Sequence, residues 1–186
     1  GELFIDIAVS LAGRWTGGPA KVAVVSSALL GTTSGSALAN VVGSGSVTIP
    51  MMKGMGYRPQ FAGAVEAVAS SGGQLMPPIM GAGAFLMAQF TGIRYSSICW
   101  HALFPVLLFY VGVFTMIHFE SLKSGLVGLP RSKVPSLRVT LKKGWPPLAA
   151  IGILILTLAW GYSLSRCALL SSLSLFLFTM ARAETR

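Results

Sequence analysis

The chain has 186 residues, 53% of them hydrophobic and 10% charged, and its mean hydropathy is +0.73. The charged share is far below the roughly 25% of a soluble domain, which excludes an ordinary water-soluble globule and points to an integral membrane protein. The net charge of +9 falls mostly in loops and builds no basic face with interleaved aromatics. It reads as a topology signal and not as a nucleic-acid surface.

Residues 1–13 read as the end of a transmembrane helix that contains Asp6, with nothing resembling a signal peptide. The chain reads as an internal fragment, or a truncated form, of something larger. Gly13-Arg-Trp-Thr-Gly-Gly-Pro19 is a turn, with glycines for conformational freedom and a proline to start the next helix. Residues 14–59 follow as a re-entrant hairpin with flanking cytoplasmic turns. Its two apolar pieces are Lys21 to Leu30 and Ala37 to Ile49, the second ending at Pro50. At about 1.5 Å per residue each reaches only about halfway across a hydrocarbon core of about 30 Å. Arg14 and Lys21 before the pair, and Lys53 and Arg58 after it, want both outer ends on one side. The chain is therefore expected to dip in, turn at Thr32 to Ser36 and return.

Residues 60–92 read as a discontinuous transmembrane helix. Gln60 to Ser71 is apolar but carries Glu66. The run breaks at Ser70-Ser-Gly-Gly-Gln-Leu-Met-Pro-Pro78 and resumes from Ile79 to Thr91. Two consecutive prolines remove two backbone donors, and the freed carbonyls need partners. Residues 93–119 form a transmembrane helix, with a plain span at Ser97 to Phe119. Residues 120–144 form a basic cytoplasmic loop with Lys123, Arg131, Lys133, Arg138, Lys142 and Lys143. Residues 145–165 form another transmembrane helix, and 166–186 a short apolar segment and polar tail. Arg94 and Arg166 then lie on the outer side, an arrangement consistent with the positive-inside rule.

A hairpin tip and a broken helix in adjacent segments point to a midplane site. Backbone carbonyls, Thr and Ser hydroxyls and the Asn40 amide are hard oxygen ligands that suit a small cation such as Na⁺. The plainer account is that Gly35, Ser36, Ala37 and Ala39 only pack helices and that Asn40 makes an interhelical hydrogen bond. Glu66 is read either as a structural or gating ion pair, with Lys53 or Arg58, or as a proton-coupling acid. Trp15, Tyr57, Tyr95, Trp100 and Trp145 read as interface anchors. Cys99 and Cys167 lie in apolar segments, which argues against a disulfide framework or a metal cluster. His101 and His118 are isolated from other ligand types and read as structural or interfacial. No catalytic elbow, dinucleotide fingerprint or P-loop occurs, so no catalytic residue and no enzyme activity are expected.

Gly17-Gly-Pro-Ala-Lys-Val-Ala-Val-Val-Ser-Ser27, the run Gly31 to Asn40, Ile49-Pro-Met-Met-Lys53, Gly56-Tyr57 and Ser71-Gly-Gly-Gln-Leu-Met-Pro-Pro78 together resemble the large membrane subunit of TRAP transporters, the tripartite ATP-independent periplasmic family. The resemblance covers roughly Gly1 to Leu164, and the Gly-Gly-Gln-Leu-Met-Pro-Pro wording is most similar to the form with small and large subunits fused. It implies an all-α integral membrane protein, one half of an elevator-type transporter with a re-entrant helical hairpin and a discontinuous transmembrane helix. It implies substrate contacts at Ser34, Gly35, Ser36, Asn40, Gln74 and Pro77, and a Na⁺ site at Ser34, Ser36, Asn40, Gly72 and Gly73. The implied activity is Na⁺-coupled uptake of organic acids, often carboxylates, with Na⁺ as coupling ion and no cofactor. The implied partners are a periplasmic solute-binding protein, the small membrane subunit or its fused equivalent, the remaining half of the permease and the lipid bilayer, but no nucleic acid. The implied location is a bacterial inner membrane, in a multi-pass chain. No second small-residue hairpin is read after residue 79, and the later Pro146-Pro147 pair is read as the start of the 145–165 helix and not as a second break of the Gly–Pro-Pro kind. One repeat is therefore expected here, without the other Na⁺ site and half the substrate cavity. The alternative from another class is a non-transporting membrane scaffold or assembly protein, and a third is a membrane enzyme that uses one of the serines.

Overall fold

A computed structural model describes residues 2–184, and every regular element among them is helical. The helices are α1 (Glu2–Ala12), α2 (Gly18–Ser34), α3 (Ala37–Gly54), α4 (Pro59–Gly73), α5 (Ala82–Thr91), α6 (Tyr95–Lys123), α7 (Leu137–Lys143), α8 (Trp145–Ala159) and α9 (Leu164–Glu184), with a short 3₁₀ turn at Arg131–Lys133. The chain divides into two compact units, Gly1–Thr140 and Leu141–Arg186.

In the first unit α2, α3 and α4 pack on one another, α1 lies on α2, and α6 packs on both α2 and α4. The core joins Ala20, Ala23 and Val24 of α2, Met52 of α3, Ala62, Val65 and Ala69 of α4, and Val106, Tyr110 and Ile117 of α6. Most of the α2 and α4 contributors are alanine. Between apolar helices in an apolar solvent, close backbone approach supplies the attraction, and small residues permit it.

The hairpin turn is tighter than Thr32 to Ser36: α2 runs on to Ser34 and only Gly35 and Ser36 lie between the helices. Thr32 and Thr33 stay helical because their hydroxyls donate back to the carbonyls of Leu29 (2.6 Å) and Leu30 (3.0 Å). Gly35, at φ 59°, takes the left-handed conformation that ends α2, with its N–H on the Gly31 carbonyl. Ser36 is extended and its hydroxyl accepts from Ala39 N at 3.3 Å, capping α3. Helix α3 also passes through Pro50 to Gly54 instead of ending there. Proline costs the helix one donor, and the extra turn seats Met52, fully buried, in the core.

Helix α4 likewise continues past Ser70 to Gly73, so the break spans Gln74 to Gly81. The Ser71 hydroxyl donates to Ala67 O, keeping the last turn closed. The turn Gly13–Gly17 is tied to the segment after α6: Leu129 N donates to Gly13 O (2.7 Å) and Gly17 N to Leu126 O (3.3 Å).

Two described helices are long and apolar enough to cross a membrane, Tyr95–Lys123 and the Leu164–Ala181 part of α9, or up to three if Arg131–Lys143 and Trp145–Ala159 form one bent span. In the second unit the 15-residue α8 stops at Ala159, short of the expected end at residue 165. Gly161 at φ 81° turns the chain there. Helix α9 is longer than the apolar run counted from Arg166, because it starts at Leu164 and carries Arg166 inside it. Trp145 and Phe178 pack ring to ring at 5.1 Å.

Two of the expected interface aromatics are buried instead. Tyr57 is 5% exposed and bonds Ser121 Oγ at 2.6 Å; burial pushes its phenol above the ordinary value, with the Ser121 bond acting the other way. Tyr95 is 7% exposed and holds the helix break, as described below. Trp15, Trp100 and Trp145 are exposed.

Candidate functional site

The hairpin tip sits on the break. A Cβ built on Gly35 would collide with the carbonyl oxygen of Met80 and lie 3.4 Å from the Ile79 side chain; one on Gly81 would lie 3.4 Å from Gly35 O. Met80 itself has φ 56°, a left-handed conformation that L side chains rarely adopt. Such a residue costs about 1–3 kcal/mol and persists only where its surroundings over-determine it. Met80 N donates to Met76 O (3.3 Å) and Gly81 N to Gln74 O (2.7 Å), so the break is a built loop.

Two carbonyls of the break find a partner on α6, while those four residues before the prolines, Gly73 O and Gln74 O, accept from Met76 N and Gly81 N. Tyr95 Oη donates to Pro78 O at 3.0 Å and also contacts Ile79 O. Its ring stacks on Phe85 of α5 at 4.8 Å, and Cys99 Sγ lies 3.7 Å from Pro78 O. Tyr95 is thus a latch, not an interface anchor. It was legible only as an aromatic near a helix start, because its partners lie on the other side of α5.

One turn back from the tip, α2 and α4 touch through glycines. A Cβ on Gly31 would come within 2.5 Å of Gly73 Cα, and one on Gly73 within 2.5 Å of Asn40 Nδ2. Asn40 is 1% exposed. Its Nδ2 donates to Ser27 O at 2.8 Å. A carbonyl can only accept, so the amide nitrogen must face it. That fixes the amide oxygen, Asn40 Oδ1, as a buried atom with no hydrogen-bond partner. The expected interhelical bond and an unspent oxygen therefore coexist in one side chain.

The structure brings Asn40 and Gly73 together, seats Gly35 on the break, and separates other expected members. Ser34 and Ser36 are exposed; Ser34 Oγ accepts from Ser36 N, and Ser36 Oγ is the α3 cap. Gly72 faces α6, where the Phe109 ring fills the space a Cβ would need. Its carbonyl accepts from Leu75 N at 3.0 Å. Gln74 lines a mostly apolar cavity of about 620 Å³ together with Leu75, Met80, Gly81 and His101. Pro77 is half-buried and forms the peptide with Pro78 that is cis.

Glu66 is completely buried. Among the described residues, no lysine or arginine is shown in contact with it. Its carboxyl oxygens contact hydroxyls from all three helices of the hairpin and α4: Ser27 (3.3 Å), Ser44, Thr48 and Ser70 (3.1 Å). The expected pairing with Lys53 or Arg58 gives way to this cage because Glu66 lies on the face of α4 turned inward to α2 and α3. Lys53 and Arg58 are both exposed. Asp6 is exposed too. His118, isolated from other ligand types in the sequence, bonds Lys21 Nζ at 3.0 Å through Nδ1.

Comparison with known proteins adds the family. The model for the tripartite ATP-independent periplasmic transporter, DctM component, matches residues 1–185. The sialic acid TRAP transporter large permease protein SiaM of Vibrio cholerae is 30% identical over 181 residues, 96% of this chain and 42% of its own length. The C4-dicarboxylate TRAP transporter large permease protein DctM of Rhodobacter capsulatus is 38% identical over 74 residues, 40% of this chain and 17% of its own. Protein y4mL of Sinorhizobium fredii is 30% identical over 162 residues, 87% of this chain and 38% of its own. The chain thus spans at most about two fifths of the length of these relatives. With the family model covering nearly every residue, the chain is a membrane protein that belongs to the TRAP transporter large permease (DctM component) family.

Proposed function

We propose that this chain forms one repeat of the large permease of a Na⁺-coupled secondary transporter in a bacterial inner membrane. The transporter takes up organic acids, carboxylates among them, delivered by a periplasmic binding protein, and works with a small membrane subunit or its fused equivalent. It performs no covalent chemistry. The α2–α3 hairpin is re-entrant, and α4 and α5 are the halves of one broken crossing helix in an elevator-type transport domain.

The observation that carries the reading is the seating of the Gly35 tip on Met80 and Gly81, with Asn40 Oδ1 buried and unpartnered one turn behind it. A buried polar atom without a partner costs about 1–3 kcal/mol, and a cation would relieve that cost. The donor set suits Na⁺: a neutral amide oxygen and backbone carbonyls, with no thiolate or imidazole. Asn40 and the carbonyls around Gly31 and Gly73 would hold the ion, and its charge would favour an anionic substrate nearby. The ion stabilises the docked tip, and the docked tip shapes the break. Coupling then follows from the ion's preference for the substrate-competent arrangement. The N-terminal ends of α3 and α5 would favour the substrate's anionic group. Support for the carboxylate class comes from the substrates that two transporter relatives are named for, C4-dicarboxylate and sialic acid.

The test is uptake into proteoliposomes by the full-length transporter with its binding protein. An inward Na⁺ gradient should drive carboxylate accumulation. Gly35→Val should abolish it while membrane insertion persists, because the tip can then no longer seat. Unchanged uptake by that variant contradicts the site; no uptake of any organic acid under any gradient leaves the scaffold reading.

A further inference from the structure

The Glu66 cage has a hydrogen count that invites a ligand other than a metal ion. Each hydroxyl carries one hydrogen. Thr48 Oγ1 contacts Glu66 Oε2 and, at 3.0 Å, Ser44 O. Ser44 Oγ contacts Glu66 Oε1 and, at 2.8 Å, Asn40 O. An ionised carboxylate and a backbone carbonyl are both acceptors only, so with Glu66 ionised each of these hydroxyls leaves one contact without a hydrogen. Ser27 lies 3.3 Å from Ser44 Oγ and 3.4 Å from Ser70 Oγ and adds only its single hydrogen. One more hydrogen, on Oε2, settles the Thr48 conflict: Glu66 then donates to Thr48 Oγ1, and Thr48 donates to Ser44 O. The cage holds either form of the acid, and one hydroxyl rotation separates them.

Among the described residues, the helices packed on α4 bring no charge to Glu66. On α2, Lys21 turns to His118 and to the rings of Trp15 and Phe114. On α3, Lys53 is exposed, as is Arg58 at the start of α4. On α6, which packs against α4, Tyr110 gives its hydrogen to Ala69 O, and His118 faces Lys21. The missing side chain of Gly45 leaves room for the Glu66 stem: a Cβ there would lie 3.0 Å from Glu66 Cγ. A buried ionised carboxyl without a counter-charge is costly, and a proton removes the cost without needing a cavity.

We propose that Glu66 is a proton-binding site, distinct from the cation site at the hairpin tip. On uptake, a proton from water forms the Oε2–H bond, the pocket goes from −1 to neutral, and Thr48 swings to Ser44 O. On release, the Oε2–H bond breaks, the proton returns to water, and Thr48 swings back to Oε2. Since Ser44 and Thr48 belong to α3 and Glu66 to α4, the site exists only while the hairpin is docked, and exchange with water follows its undocking. Protonation and hairpin position are thereby linked.

The experiment is an infrared pH titration of the full-length transporter in lipid, without substrate and without ion gradients. Wild type minus Glu66→Gln should give a carbonyl-stretch band of a neutral carboxyl that grows as pH falls. Thr48→Val, which keeps the acid and removes the Oε2 partner, should shift that band in frequency without erasing it. Should Glu66→Gln fail to fold, the Thr48→Val shift alone carries the test. A spectrum with no titrating band that depends on Glu66 or responds to Thr48 overturns the proposal. The outcome is independent of transport: a band in a protein that shows no Na⁺-driven uptake keeps the proton site and sinks the coupling scheme.

Discussion

Gly31 of α2 and Gly73 of α4 meet so closely that a Cβ on Gly31 would stand 2.5 Å from Gly73 Cα and 2.8 Å from its carbonyl oxygen. Both obstacles are backbone, so no rotamer can move aside. Gly31→Ala should therefore destabilise by about 1–3 kcal/mol, the usual cost of overpacking. Gly43→Ala on α3, where nothing lies within 4 Å of the new carbon, should be neutral or stabilising by up to about 1 kcal/mol through helix propensity. Thermal unfolding of the full-length protein in detergent separates the two. Equal melting temperatures would mean that α2 and α4 do not touch here.

Tyr95→Phe tests the latch. The ring can still stack on Phe85, but the carbonyls of Pro78 and Ile79 lose their donor. The expected loss is about 1–3 kcal/mol, felt locally. Amide hydrogen exchange should speed up over 76–81 while that of α1 stays unchanged. Exchange at Met80 and Gly81 as slow as in wild type would contradict the latch.

The hairpin and the break could be read from the sequence because glycine and proline punctuate them directly. Helix ends were displaced by side chains that repay staying helical: Thr32 and Thr33 through their back-bonded hydroxyls, Met52 through burial. The Glu66 cage was hidden for a different reason. Its hydroxyls come from positions 39, 22 and 18 residues before it, and only Ser70, one turn along, is local. Tyr95 likewise acts on carbonyls 16 and 17 residues away. Pairings at that distance depend on how helices pack, which periodicity does not encode. The Asn40 amide is an intermediate case. Its place near the tip was visible, but the orientation that leaves Oδ1 unspent needed the Ser27 carbonyl in space.

Lys21 and His118 form a pair whose members are unequal. Lys21 is 3% exposed, and its ammonium lies 3.0 Å from His118 Nδ1, 4.9 Å from the Phe114 ring centre and 5.7 Å from that of Trp15. Lysine can only donate, so Nδ1 is the acceptor and Nε2 carries the imidazole hydrogen. His118→Ala strips the ammonium of its hydrogen-bond partner and should cost about 1–3 kcal/mol. Lys21→Met removes the charge and keeps the stem, and should cost less. The double variant should be more stable than the sum of the two losses implies, by at least about 0.5 kcal/mol. Strict additivity in unfolding measurements would dissolve the pair.

The most direct measurement is a Na⁺ titration of the melting temperature of the full-length transporter, at constant ionic strength with K⁺ as the replacement. A ligand that binds only the folded state stabilises by about 2.7 kcal/mol at a hundredfold excess over its dissociation constant. The account predicts that Na⁺ raises the melting temperature of the wild type and that Asn40→Ala loses a clear part of that rise, because Asn40 Oδ1 is the buried oxygen left for the ion. An Asn40→Ala variant with the full wild-type response to Na⁺, or a wild type with none, would contradict it.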